Sequence, residues 1–418
     1  MMRIRHDQRA GHAGVTFVLL LIAFCAIGHA SAADLAGDVA RRSCAALTAR
    51  VDAVAGAAPV LLRSYDSVRD ADPDEPPLRT AAFSYDNALA VIALLGCDQR
   101  AQALRVGEAL RMAALSGTRL RNVYRAGAIG KEVLPNGWWD AKKGRWFEDA
   151  YQQGSATGNV AWVALALLAL HDVTHDARWL EAARHLAQWC VDNVADSRGA
   201  GGFSGGIEGF DKNPRRIAWK STEHNIDLVA LFARLAAAAP DAQERARWRD
   251  AQATARRFVD SAWDAPSGHF VVGTTVDGAT ANRAMSALDV QLWAQLLPDA
   301  PAAWRRALAY VEREHAVAGG FDFNADRDGL WLEGTAQAAL VYRLAGDEAR
   351  AQALFATIAA QSGPDGLVYA TREPRITTGL GISSDSKSDD FHYYRRPHVG
   401  ATAWAALAAL RVNPFAAR

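Results

Sequence analysis

Apolar positions recur with helical spacing along nearly the whole chain, and the helices they predict are of two kinds. One kind is amphipathic with a charged face: about 34–57, 99–115, 176–196, 241–263, 300–316 and 347–361. The other is rich in Ala, Leu and Val on almost every side: about 85–95, 157–171, 222–238, 285–297, 331–345 and 398–411. A helix with one apolar stripe covers a core, whereas a helix apolar all round has to be enclosed by others. Six covering and six enclosed helices in alternation predict an all-α chain folded as an (α/α)6 toroid.

The connections sharpen this topology. Links from an enclosed helix to the next covering one are short: Gly96-Cys97-Asp98, 171–175, Pro240, Pro298-Asp299 and Gly346. Links in the other direction are mostly long and rich in Gly and aromatics: 58–84, 116–156, 197–221, 264–284, 317–330 and 362–397. In a closed ring of hairpins, all six long links fall on one face beside the N-termini of the enclosed helices. Loops of that length inside a compact domain usually carry function. A linear solenoid of helix pairs is the competing topology, and the unequal links count against its regular short period. Strand signals are few, with short hairpins expected at 268–275 and 366–370.

The N-terminus changes the picture of compartment. Arg3, Arg5 and Arg9 precede an apolar run from Val15 to Ile27 and then Ala30-Ser31-Ala32, the pattern of a cleavable signal peptide. The run is shorter than the roughly 20 residues that span a bilayer. The expectation is a signal peptide at 1–32, a single toroid domain at 33–418, no membrane span, and a periplasmic or secreted protein. Residues 1–32 hold three Arg and one Asp of the chain's 46 basic and 46 acidic residues, so the remainder has a formal charge of −2. Such a balance gives no electrostatic drive toward nucleic acid or anionic lipid. Cys44, Cys97 and Cys190 remain, with no zinc-type spacing, so no metal and no cofactor is expected. Cys44 with Cys97 fits a bridge in an oxidising compartment and equally two buried thiols.

Candidate chemistry concentrates where the enclosed helices begin. Trp219-Lys220-Ser221-Thr222-Glu223-His224-Asn225-Ile226-Asp227-Leu228 opens with a hydroxyl N-cap and runs into an apolar helix. Charged groups at the entrance to a core need partners or a purpose. The other starts carry Asp86-Asn87, Thr157-Gly158-Asn159, Ser286 to Asp289, Glu333-Gly334-Thr335 and His398 to Thr402. The axis of the ring should therefore open into a cup lined with carboxylates. Loop aromatics such as Trp138, Trp139, Trp219, Trp331 and Tyr394 would supply flat faces for sugar rings, while acids and amides bind hydroxyls.

The six-hairpin alternation, with segments such as Phe83 to Ala90, Trp219 to Asp227 and Trp331 to Gln337, resembles the six-hairpin glycosidase-like superfamily. That resemblance implies a carbohydrate-active enzyme with its cleft at the inner-helix N-termini. Glycosidic hydrolysis needs one protonated carboxyl to assist the leaving oxygen and one ionised carboxyl as base or nucleophile. Glu223 and Glu333 are the candidate acids, each near a Trp that would raise its pKa, and Asp86 is the candidate base. The three are expected to converge from helices one, three and five. Trp138, Trp139, Trp219, His224, Asn87, Trp331, Tyr394 and His398 are the expected substrate-binding residues. Asp227 and Asp289 lie deeper and are expected to tie inner helices together.

Asp322, Asn324, Asp326, Asp328 and Glu333 imitate calcium-loop spacing, but Arg327 stands where such a loop wants Gly, so a solvated loop is expected. The polar run 383–390 before Phe391 could cover the cup. The leading reading is a glycoside hydrolase acting on an oligo- or polysaccharide. A polysaccharide lyase or sugar epimerase using His224 or His398 with Tyr394 is the alternative, with inward Arg372, Arg375, Arg395 and Arg396 favouring the lyase. A non-catalytic glycan-binding protein of an exopolysaccharide system is the third.

Overall fold

The computed structural model describes residues 35–66, 76–386 and 391–417; the expected signal peptide and the end of the polar run at 387–390 lie outside them. Helix α1 covers 35–52. It is followed by α2 (Ser84–Gly96), α3 (Arg100–Leu115), the single-turn α4 (Ala150–Gln153), α5 (Thr157–Thr174), α6 (Ala177–Val194) and α7 (Thr222–Ala237). Then come α8 (Ala242–Ala262), α9 (Leu288–Trp293), α10 (Arg306–Glu314), α11 (Leu332–Leu344), α12 (Glu348–Ala360) and α13 (Val399–Leu410).

The enclosed helices form the inner ring. Each packs on the next in the order α2, α5, α7, α9, α11, α13, and α13 returns to α2 and closes the circle. Burial explains why their sequences tolerate no polar face: in α5 every side chain from Val160 to Leu170 is buried. Enclosing each large apolar side chain stabilises the ring by about 1.5–3 kcal/mol. Although α5 is long and apolar enough to cross a membrane, most of it is buried within the ring. Outer helices pack one face on this ring, α6 on α5, α8 on α7 and α12 on α11. Cys44 of α1 is bridged to Cys97, just beyond α2, which pins the first hairpin.

Two elements are shorter than their patterns predict. In the fourth inner position Ala287 stays extended, because the Leu288 N–H donates to the Phe323 carbonyl, and the helix tightens to a 3-10 turn at Ala294–Leu296 before Pro298. The fifth outer helix likewise begins as a 3-10 turn at Ala302–Arg305. Near 268–275, His269–Phe270 pairs with Trp263–Asp264, and Gly273–Thr274 pairs with Ala281–Asn282. The 366–370 segment forms only single bridges, Val368 to Ser362 and Tyr369 to Pro397. A hairpin absent from the pattern joins Trp138–Asp140 to Arg145–Phe147.

Candidate active site

The six inner helices enter the axis in one register. Their second residues are Tyr85, Gly158, Glu223, Asp289, Glu333 and Gly400. One turn further in, their sixth residues are Leu89, Trp162, Asp227, Trp293, Gln337 and Trp404. The first layer rims a cup of about 670 Å³, in which Tyr85, Glu223, Asp289 and Glu333 are wall residues. Trp293 of the second layer reaches the floor, and beneath it the rings of Trp162, Trp293 and Trp404 lie 5.1–5.8 Å apart, with Phe415 against Trp162 at 5.4 Å.

The carboxyls occupy one arc, contributed by the consecutive helices α7, α9 and α11, and this corrects the expected triangle of helices one, three and five. Asp86 is the third residue of α2, not the second. One residue turns a helix by about 100°, which carries Asp86 away from the cup wall. Its Oδ2 instead meets His398 Nε2 at 3.2 Å, both groups being buried. His398 caps α13, its Nδ1 accepting from the Ala401 N–H at 3.2 Å and lying 3.7 Å from Glu333 Oε2. Glycine at position 400 makes this convergence possible. A Cβ there would stand 2.7 Å from Asp86 Oδ1 and 3.0 Å from Glu333 Oε2.

Local environment separates the carboxyls. Burial holds the Glu223 carboxyl well above its usual range, and the nearby charges of Asp289 and Glu333 push it further. Burial raises Glu333 to about 7; His398 and the Tyr85 hydroxyl, which donates to Oε1 at 2.7 Å, restrain the rise. Trp404 Nε1 in turn donates to the Tyr85 oxygen at 2.9 Å, fixing the phenol. Burial brings Asp289 to about 7 against the opposing Val290 N–H, and drives Asp227 up strongly. For His398 burial opposes the charge, but Asp86 and Glu333 overcome it and raise the ring's pKa. His224, with burial alone acting, falls to about 4. Several buried polar atoms around the axis have no partner within the protein: Glu333 Oε2, His224 Nδ1, both Asp227 oxygens and Gln337 Oε1. Such groups are rare in folded proteins unless something else is to be bound.

The other expected site residues divide. Trp219, His224 and Trp331 are on the cup wall. Ser221 is the N-cap of α7, accepting from the His224 N–H at 3.3 Å. Asn87 is buried with its amide engaged by the backbone of Leu62 and Phe83, so it has nothing left for a ligand. Trp138 and Trp139 are on the separate hairpin and not on the cup wall; Trp138 stacks on Phe147, and Trp139 is 59% exposed. Tyr394 also misses the wall, while Tyr393 lines it, because alternate residues of an extended segment face opposite ways. Asp289 is a wall residue and not a helix tie, and Asp227 ties nothing: the Trp162 N–H approaches it without hydrogen-bond geometry. Tyr85, Tyr151 and Asn159 also line the cup. Tyr85 had a legible signal, since it holds in α2 the place that Glu223 holds in α7.

In the loop of calcium-like spacing, carboxyl oxygens of Asp322, Asp326 and Asp328 lie within 4.8 Å of one another. Thr377 Oγ1 donates toward Asp326 at 2.7 Å and Asp328 at 2.9 Å, and Glu333 is committed to Tyr85 and the cup. None of Arg372, Arg375, Arg395 and Arg396 is a wall residue.

No family model and no curated protein matches this chain. Solved structures do. A glycosidase in complex with glucose superposes with a TM-score of 0.60 at 14% identity over 91% of this chain and 98% of its own. A sugar epimerase from a ruminal bacterium gives 0.58 at 12% identity, covering 89% and 98%. The cellobiose 2-epimerase from Spirochaeta thermophila gives 0.56 at 14% identity, covering 85% and 90%. The fold is thus the (α/α)6 toroid of six-hairpin glycosidases and sugar epimerases.

Proposed function

We propose that this protein is a glycoside hydrolase acting on a neutral oligo- or polysaccharide, with Glu223 as general acid and Glu333 as base or nucleophile. One observation carries the reading: two carboxyls share one cup in environments that pull their pKa values apart. Glu223 has burial and two acidic neighbours acting together, which keeps a proton available for the leaving oxygen. Glu333 has a phenol donor and an imidazole beside it, which favour its anion. Such a divided pair is what acid–base hydrolysis of a glycosidic bond requires. Trp219, Trp331 and Tyr393 offer apolar faces to sugar rings, and Asp86 with His398 positions Glu333 from behind. Among the described residues no arginine is on the wall, and its one lysine, Lys220, is turned to Asp196 and the Arg198 carbonyl, which argues for neutral sugars over uronates and against the lyase.

A sugar epimerase is the second reading, favoured by the fold likeness and by the raised His398. Against it, His398 is not at the wall and His224, though on the wall, is a weak base. His398 is behind the wall with both ring nitrogens engaged, and His224 titrates near 4. The purified protein, incubated with a panel of neutral glycans and read by mass, separates the readings. Hydrolysis adds one water, epimerisation leaves mass unchanged with a new isomer on chromatography, and an unchanged panel leaves glycan binding. Glu223→Gln and Glu333→Gln should each lower turnover by about 10²-fold or more while the melting temperature holds; near-normal turnover in both would refute the assignment. We also propose export through the 1–32 signal, supported by the Cys44–Cys97 bridge, since such bridges persist in oxidising compartments. N-terminal sequencing of the native protein should begin near Ala33, and retention of 1–32 would count against it.

A further inference from the structure

Resting on the hydrolase reading, we infer that the cup takes the end of a saccharide chain, or a short oligosaccharide, and does not admit a polymer running through it. Floor and roof both bear on this. The tryptophan floor and Phe415 close the ring axis from below. Above, the segment 379–386, between Arg375–Thr377 and the paired His392–Tyr394, contributes wall residues to the cup.

That segment reaches the connections that lead into three different inner helices, and Phe391, on the returning leg, reaches a fourth. A Cβ on Gly379 would sit 3.4 Å from Asn324 Nδ2, before α11, and 3.5 Å from Met285 Cε, before α9. Further along, the Ser384 N–H donates to Glu208 Oε2 at 2.9 Å. Arg215 binds Asp385 at 2.5 Å and Glu208 at 2.9 Å, which anchors the segment's far end on the connection before α7. On the returning leg the Phe391 ring meets Tyr151, before α5, at 5.9 Å. With polar anchors before α7 and neighbours before α5, α9 and α11, the described residues of this band lie across the mouth. The cup's 670 Å³ falls in the range of about 300–1,000 Å³ typical of small-molecule sites. A chain threading the axis needs two open ends; the floor closes one, and among the described residues the band lies across the other.

The time course of products on an established neutral polysaccharide tests this. Mono- or disaccharide as the sole early product is expected, with the polymer's viscosity falling slowly; an early ladder of intermediate lengths overturns the inference. A cyclic oligosaccharide of the same linkage, which has no chain end, should be left intact, and its opening at a comparable rate also overturns it. Arg215→Ala, which releases the far end of the band, should raise KM for a short substrate by about two- to five-fold with kcat held. An unchanged KM would show that the band does not bound the site. If no glycan is hydrolysed, the parent reading fails, and calorimetric titration with neutral oligosaccharides of two to six units judges the cup alone. Affinity that stops rising after about two units supports a blind cup; affinity rising through six, or no binding at all, overturns it.

Discussion

Tyr85→Phe removes one of the two groups that favour the Glu333 anion, the other and larger being His398. The change deletes one oxygen, which donates to Glu333 Oε1 at 2.7 Å and accepts from Trp404 Nε1 at 2.9 Å, and leaves the ring in place. A hydrogen bond to a charged group contributes about 1.5–3 kcal/mol. At 1.36 kcal/mol per pKa unit, its loss raises the carboxyl by about one to two units. Glu333 starts at about 7, so about half of it is ionised at pH 7. The variant would keep roughly a tenth to a hundredth ionised, and turnover at pH 7 should fall about 5- to 50-fold. Because the base must be deprotonated, the acidic limb of the pH–rate profile moves to higher pH, and by pH 9 the variant should come within about two-fold of the parent. Stopped assays from pH 5 to 9 measure this directly. A uniform loss at every pH, or a limb that stays in place, would refute the assignment of Glu333 as the ionised partner. The Trp404 N–H left without its acceptor costs about 1–3 kcal/mol, so a thermal melt must first show the variant folded.

Gly400→Ala sets a methyl 2.7 Å from Asp86 Oδ1 and 2.8 Å from His398 Cε1, and activity should drop at least about ten-fold; wild-type kinetics would show that the cluster does not support Glu333. Cys44→Ser removes a bridge across a sequence separation of 53, worth about 4 kcal/mol in chain entropy, and the melting temperature should fall while kcat of the folded enzyme holds. Stability should decline as pH rises from 6.5 to 8.5. Asp289, Glu333 and Asp322, raised by burial to about 7, keep protons that the unfolded chain has already released, and lose that advantage as pH passes 7. His224 and His315, depressed by burial to about 4, act in the opposite sense only between about 4 and 6.5, so a melting temperature flat above 6.5 would contradict the burial of the carboxyls. Trp139→Ala should leave kcat/KM for a short substrate unchanged, whereas Trp219→Ala should raise KM several-fold; equal losses would place the exposed hairpin at the site.

Helix order, the alternation of enclosed and covering helices, and the face that carries the long loops were legible in the residues alone. A helix apolar on every side has one physical solution, enclosure, and six of them alternating with six amphipathic ones leave few ways to close. Glu223 and Glu333 were legible for a related reason: polar groups at the mouth of a buried helix need a purpose. Which residues turn inward was decided by register, which composition does not carry. Asp86 and Glu223 look equivalent in the sequence, yet a difference of one position in their helices sends one behind the wall and the other into the cup. Asp289 was missed because its helix starts at Leu288, later than the apolar pattern implies, which makes it a second residue and not a deep one. The pairing of Asp86 with His398 across 312 residues, the clearance provided by Gly400 and the band anchored on Arg215 exist only once the ring has closed. Periodicity is a local property of the chain, and it determined the helices; the acidic arc is a relation among six chain segments, and only their packing around one axis could set it.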